Sequence, residues 1–426
     1  MTELTSMNRR DLQRQAALLD EKYQAFKAQR LALDMTRGKP CPEQLDLSLG
    51  LLDCLGHNDY RAADGSDCRN YGGLEGLPEA RQLFADFLEV DPSEVIVGGN
   101  SSLTMMHDTI AQALLRGMPG GSAPWCALPA LRFVCPSPGY DRHFAICQHL
   151  GIDMVTVDMT AEGPDMDQVE RLVTADESIK GIWCVPKYSN PTGITFSNAV
   201  VERLARMRTA APDFRIIWDN AYTVHHLGDT PDRLANLFAA SKAAGNPDRV
   251  LLFGSTSKIS FAGAGLAAMA GSVANVRHIK AGLAIQTIGP DKLNQLRHVR
   301  FFRDMAGIEA HMRKHAAILR PKFAVVEDVL TRELGGSGVA EWSRPRGGYF
   351  VSLDTLDGCA KAVVAMAGDA GVQLTGAGAT FPYGRDPRDR NIRLAPSMPS
   401  LNDIQQAMEL FAVCIQRVSV AKLLTN

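Results

Sequence analysis

Three polar groups stand in succession just past short apolar runs, and each is of a type that does chemistry. Asn190-Pro191-Thr192-Gly193 follows a run ending at Val185, Asp219 closes residues 215–218, and Ser255-Thr256-Ser257-Lys258 follows residues 250–253. A lysine so placed becomes a nucleophile and proton carrier once its surroundings lower its pKa. Each group also has a bland reading. The first is a common turn sequence, the aspartate could cap the next segment, Tyr222 three residues after it could be a half-buried aromatic, and most lysines are simply solvated. The order of the three carries more weight than any one of them.

The elements that must position these groups follow from periodicity. Short apolar runs at residues 95–97, 133–135, 154–157, 181–185, 216–218 and 250–253 alternate with helical patterns. Such alternation predicts a mainly parallel sheet covered on both faces, with ligands gathered at the carboxyl ends of its strands. A helix is expected over residues 8–33, ending at Arg37-Gly38-Lys39-Pro40. Pro78 opens another, with Leu83, Phe84, Phe87 and Leu88 on one face. Beyond about residue 300 the pattern becomes a long charged helix over residues 300–330, then strand-like residues 349–353 and 392–394. A final helix is capped by Ser400, with Asp403 three residues on. The expected fold class is α/β: a large domain with a mainly parallel sheet sandwiched by helices, plus a smaller α+β domain. The expected division is residues 1–60, an N-terminal helix and crossing segment packing with the small domain, then 61–300 and 301–426.

Composition narrows the function classes. The chain has 426 residues, 46% hydrophobic and 22% charged, with net charge −2, which favours neither disorder nor a nucleic-acid surface. The longest small-apolar run, residues 266–274, falls far short of the ~20 that span a bilayer, so no membrane partner is expected. Nine cysteines lie scattered without a CxxC pair or zinc-ligand spacing. They are expected to be reduced core residues in a cytoplasmic protein, with no metal site.

The three groups are those that a pyridine-phosphate cofactor needs. In the order NPTG, DNAY, STSK and NIRLA the sequence resembles the fold-type I aminotransferases of the aspartate aminotransferase superfamily. NYGGLEG (residues 70–76), GGNSSL (98–103) and PSPGYDRHF (136–144) look like the divergent bacterial subgroup Ic. The resemblance implies pyridoxal 5'-phosphate as cofactor, with Lys258 as its Schiff-base lysine. It implies that Asp219 pairs with the pyridine nitrogen, keeping the ring an electron sink. Asn190 and Tyr222 would hydrogen-bond the ring oxygen and tune the Schiff base, Tyr140 would stack on the ring, and Ser101, Ser102, Ser255 and Ser257 would cup the phosphate at a helix start. Tyr71 would reach that phosphate from the neighbouring subunit of a homodimer. Arg393 would bind the substrate α-carboxylate with its planar fork, assisted by Asn190 and by backbone at Gly38.

One departure stands out. Many relatives have an arginine eight residues after the lysine, where this chain has Leu266. The resemblance favours aspartate as amino donor and 2-oxoglutarate as acceptor, with Arg37, Lys39, Lys187 and Arg297 as unranked candidates for a distal carboxylate. Another amino-acid specificity, a lyase on the same scaffold, or a non-catalytic regulator that binds the cofactor are the alternatives. About 35 residues precede the first matching motif, too few for a winged helix-turn-helix, and no basic footprint is present. A dehydrogenase is disfavoured because no GxGxxG follows a strand.

Overall fold

A computed structural model describes residues 3–425 of the chain. In chain order its strands are β1 (Leu33–Asp34), β2 (Val95–Val97), β3 (Arg132–Ser137), β4 (Asp153–Thr160), β5 (Gly163–Pro164), β6 (Ile179–Cys184), β7 (Arg215–Asp219), β8 (Val250–Ser255), β9 (Ala267–Ala270), β10 (Ala340–Trp342), β11 (Val351–Thr355), β12 (Val372–Gln373) and β13 (Asn391–Leu394). Eight of them form one sheet in the order β2-β9-β8-β7-β6-β3-β4-β5. The central pairs β8/β7, β7/β6, β6/β3 and β3/β4 are parallel, and antiparallel partners sit at both edges. Every residue of β2, β6 and β7 is buried, as expected of a sheet whose two faces are covered by helices.

Apolar packing on either side of this sheet makes two clusters. One holds the helix Pro78–Leu88, whose Leu83, Phe84, Phe87 and Leu88 are buried as their spacing predicts. The other gathers around Phe133, Trp183 and Phe253. A third core joins the small sheet β10-β11-β13, the N-terminal helix Arg9–Ala28 and the last helix Leu401–Thr425. Ser400 caps that last helix, accepting from the N–H of Asp403 at 3.2 Å while Asp403 accepts from the N–H of Ser400 at 3.4 Å. The helix Met305–Leu334 runs from the first core, through Ile308 and Met312, into the third, through Leu319, Phe323 and Val326.

Four local features differ from the reading of the sequence. The N-terminal helix stops at Ala28, because Leu33 and Asp34 pair in parallel with Val372 and Gln373 instead. The long charged helix is two, Lys292–Phe302 and Met305–Leu334. They break at Arg303, which takes φ 68°, and Asp304 caps the second by accepting from the N–H of Gly307 at 2.9 Å. The small-apolar run contains β9, an antiparallel strand between β2 and β8. Cys126 is exposed and Cys54 half-buried, so not all nine cysteines are core residues. Among the described residues no helix is long and apolar enough to cross a membrane.

Candidate active site

The candidate residues converge at the carboxyl ends of the parallel strands, where ligands of such sheets collect. Tyr140 follows β3, Asn190 follows β6, Asp219 ends β7, and Lys258 follows β8. Asp219 is 2% exposed. Its Oδ2 accepts from His143 Nε2 at 3.1 Å, whereas its Oδ1 is buried with no partner among the described residues. His143 lies in the helix Asp141–His149 and stacks on Trp183, with ring centroids 4.4 Å apart and planes 12° apart. Tyr140 meets the His143 ring edge-on at 4.9 Å.

Lys258 Nζ sits 5.0 Å from the centre of the Tyr222 ring. Burial holds this amine below the ordinary lysine value, with the Asp219 charge pulling the other way. Burial, reinforced by Tyr140 and Asp219, pushes the Tyr222 hydroxyl well above the usual phenol range. The backbone of Lys258 is also held: its carbonyl accepts from His225 Nε2 at 3.3 Å and from Tyr349 Oη at 3.5 Å. Burial and the nearby Lys258 charge keep His225 neutral, so donation from Nε2 leaves its Nδ1 as a buried acceptor without a partner. Behind Tyr349 a polar chain continues through Gln44, whose Nε2 lies 2.9 Å from both Tyr349 Oη and His315 Nδ1. His315 reaches His311, and His311 reaches the Ile259 carbonyl at 2.9 Å.

Across the site from Lys258, Arg393 in β13 is 7% exposed. Its Nη1 donates to Asp141 Oδ1 at 2.8 Å and Asn190 Oδ1 at 3.3 Å, and its Nη2 to Thr375 Oγ1 at 3.4 Å. The Phe350 ring lies 4.9 Å from its guanidinium carbon. A Cβ on Gly38 would stand 2.4 Å from that ring, so glycine is what lets the N-terminal segment pass so close.

A third group of residues forms a cup. Ser101 caps the helix Ser102–Arg116, accepting from the N–H of Thr104 at 3.4 Å. Ser102 is therefore the first helical residue, and the N–H groups of Ser102 and Leu103 have no protein acceptor among the described residues, which suits an anion. Ser257 Oγ donates to the Asn100 carbonyl at 2.9 Å, tying the cup to the lysine loop, and Ser255 is half-buried beside it at the end of β8. Leu266 is buried, its N–H donating to Thr256 Oγ1 at 2.8 Å. Behind this loop, Asn294 Nδ2 donates to the carbonyls of Ala264 and Gly265, and Asn294 Oδ1 accepts from Arg297 Nη2 at 2.7 Å.

Tyr71 stands apart from this cluster. Its side chain is 79% exposed, while its carbonyl accepts from Lys292 Nζ at 3.0 Å. Arg37 and Lys39 are exposed on the Gly38 segment, and Lys187 is half-buried near the Tyr188 ring. His143, Asp141, His225, Tyr349, Phe350 and Thr375 were not singled out from sequence. Of these, His143 carried a signal: it stands three residues after Tyr140, in the first turn of the helix that Tyr140 leads into.

The family model for aspartate amino-transferases matches residues 5–426. This chain belongs to that family. A Mycolicibacterium smegmatis protein named only as an aminotransferase is 50% identical over 411 residues, covering 96% of each chain. An aspartate aminotransferase of Corynebacterium glutamicum is 46% identical over 397 residues, covering 93% of this chain and 92% of that one. The crystal structure of an aspartate transaminase from Corynebacterium glutamicum superposes with a TM-score of 0.97 at 44% identity, covering 99% of both chains. The protein is thus an aminotransferase, of a family that works with pyridoxal phosphate on amino acids and oxo acids.

The residues of this aminotransferase fit that cofactor on three counts. Asp219 offers a buried oxygen with no other partner, suited to a protonated ring nitrogen. The Lys258 amine is held below its ordinary basicity. The first-turn N–H groups beside Ser101 can receive a phosphate.

Proposed function

We propose that this chain transfers the amino group of aspartate to 2-oxoglutarate by a ping-pong sequence, using pyridoxal 5'-phosphate held by Lys258, Asp219, Asn190, Tyr222, Tyr140 and the cup of Ser101, Ser102, Ser255 and Ser257. The observation that carries the reading is the unpartnered Oδ1 of Asp219, buried on the same strand ends as Lys258. When bound, the cofactor supplies an electrophilic carbon and a ring that draws in negative charge developing at the substrate Cα.

The side chains then have separable tasks. Asp219 holds a proton-bearing nitrogen in place, and His143 fixes the carboxylate from the other side. Lys258 Nζ, its basicity lowered by burial, takes the proton from the substrate Cα and returns it elsewhere. Arg393 grips the α-carboxylate and sets the orientation of the Cα–H bond. Asn190 links the two ends, since its Oδ1 already accepts from Arg393.

Aspartate is favoured by the Corynebacterium glutamicum relative, named as an aspartate aminotransferase. A homodimer is favoured by Tyr71, whose backbone is tied down while its ring projects freely. The N-terminal segment with residues 301–426 would act as the substrate-side unit and residues 61–300 as the cofactor-binding unit.

The test is a half-reaction screen. The yellow holoprotein is mixed with single amino acids, and loss of its colour is followed. Rapid conversion with aspartate and glutamate is expected, and failure to convert with any amino acid overturns the proposal.

A further inference from the structure

We propose that Asp141 is a built-in competitor for the carboxylate fork of Arg393, and that it sets how tightly the enzyme holds its amino-acid and oxo-acid ligands. The inference rests on the reading of Arg393 as the α-carboxylate group. It adds a second anion to that site, one carried by the chain itself.

Arg393 is a nearly buried cation in largely neutral surroundings. Asn190 and Thr375 give it oxygen dipoles and Phe350 lies against it, but among the described residues Asp141 is the one carboxylate within ion-pair distance. A buried guanidinium without a counter-charge is costly, so an anion must sit on it when no ligand does. Asp141 meets that need at 2.8 Å.

Its position also lets it leave. The Asp141 side chain is 32% exposed against 7% for Arg393. Asp141 is the first residue of the helix Asp141–His149. A carboxylate there is favoured by the N-terminal end of the helix dipole, so a rotation about its own side-chain bonds leaves it stabilised and solvated.

An incoming carboxylate needs two coplanar N–H groups. Nη1 is already shared by Asp141 and Asn190, whereas Nε is buried with no partner and Nη2 has one long bond to Thr375. The Thr375 hydroxyl gives its own proton to the Thr36 carbonyl at 2.8 Å, so its oxygen faces the guanidinium as an acceptor that a ligand can replace. If the ligand takes Nη1, it displaces Asp141. If it takes the Nε and Nη2 edge, two carboxylates share one guanidinium and repel. In both geometries the charge of Asp141 weakens ligand binding and speeds exchange of product for the next substrate.

The opposite role for Asp141, orienting Arg393 for the ligand, predicts the opposite sign. The experiment measures equilibrium binding of succinate, a non-reacting dicarboxylate, to the holoenzyme by calorimetry. Asp141→Asn keeps the shape and removes the charge, and is expected to bind succinate about tenfold more tightly, the penalty of a site occupied by its own competitor about nine-tenths of the time. KM for amino acid and for oxo acid should fall together. Asp141→Glu restores the charge and should return affinity toward the parent value, which a merely structural defect would not do. Weaker or unchanged succinate binding in Asp141→Asn, with Arg393→Lys still impaired, overturns the competitor role and leaves Arg393 as the carboxylate group. Unchanged binding in Arg393→Lys overturns both.

Discussion

Asp219 commits one carboxylate oxygen to His143 at 3.1 Å and keeps the other buried without a partner. The pair makes a fixed acceptor out of a side chain that would otherwise rotate to satisfy itself. Removing His143 should therefore weaken what Asp219 holds. For His143→Ala, an unsatisfied buried oxygen costs about 1–3 kcal/mol. Cofactor dissociation measured by dialysis should accelerate, and kcat should fall by roughly tenfold or more.

Lys258→Ala should abolish turnover and the yellow colour of the holoprotein together. Asp219→Ala should retain the colour at high cofactor concentration while losing about 10²- to 10⁴-fold in kcat, the range seen when a preorganised electrostatic group is removed. An unchanged rate in steady-state assays would remove Asp219 from its role.

Gly38→Ala should act at a distance. The added carbon would stand 2.4 Å from the Phe350 ring, and that ring supports Arg393. Overpacking of this kind costs about 1–3 kcal/mol. KM for the amino acid should rise more than kcat falls, and initial-rate measurements would separate the two.

Tyr349→Phe removes a buried hydroxyl from between Gln44 and the Lys258 carbonyl. Gln44 then loses an acceptor, and unfolding in urea should show a loss of about 1–3 kcal/mol. Double replacement of Gln44 and Tyr349 should cost less than the sum of the single changes, since the two form one network.

Acid should destabilise the protein earlier than its carboxylates alone would. Burial is the main cause that depresses His298 to about 4 and His315 to about 3, from the ordinary 6.5. Above 6.5 both groups are neutral whether folded or unfolded. As the pH falls below that, the unfolded chain takes up protons that the folded chain refuses, so stability drops until about pH 4 and about pH 3 respectively. The slope is at most ~1.4 kcal/mol per pH unit for each histidine. His298→Gln should flatten the decline of Tm between pH 6.5 and 4.5 in thermal melts.

The strand-end residues Asn190, Asp219 and Lys258 were legible in sequence because each follows an apolar run that must be a buried strand, and the geometry of a parallel sheet brings those ends together. Arg393 was legible only through the resemblance, since the small sheet gives its strand no comparable signature. Asp141 was not legible at all: it is 252 residues from Arg393, and a carboxylate at a helix start reads as an ordinary capping preference. The polar chain from Tyr349 through Gln44 to His315 was hidden for the same reason, its members being spread over three segments that meet only on folding. β9 was missed because its alanines and methionine carry little strand preference, and its place is set by pairing with β2 and β8.

The bond from Thr375 to the Thr36 carbonyl spans 339 residues, beside the pairing of β1 with β12. On a ribosome adding about 5–20 residues per second, the first strand waits roughly 20 seconds to a minute for its partner. During that interval it is an unpaired edge, open to the wrong neighbour. The end of the site proposed to hold substrate is therefore the last part of the molecule to exist, and a chain interrupted before its final third can present the proposed cofactor cup with nothing to close it.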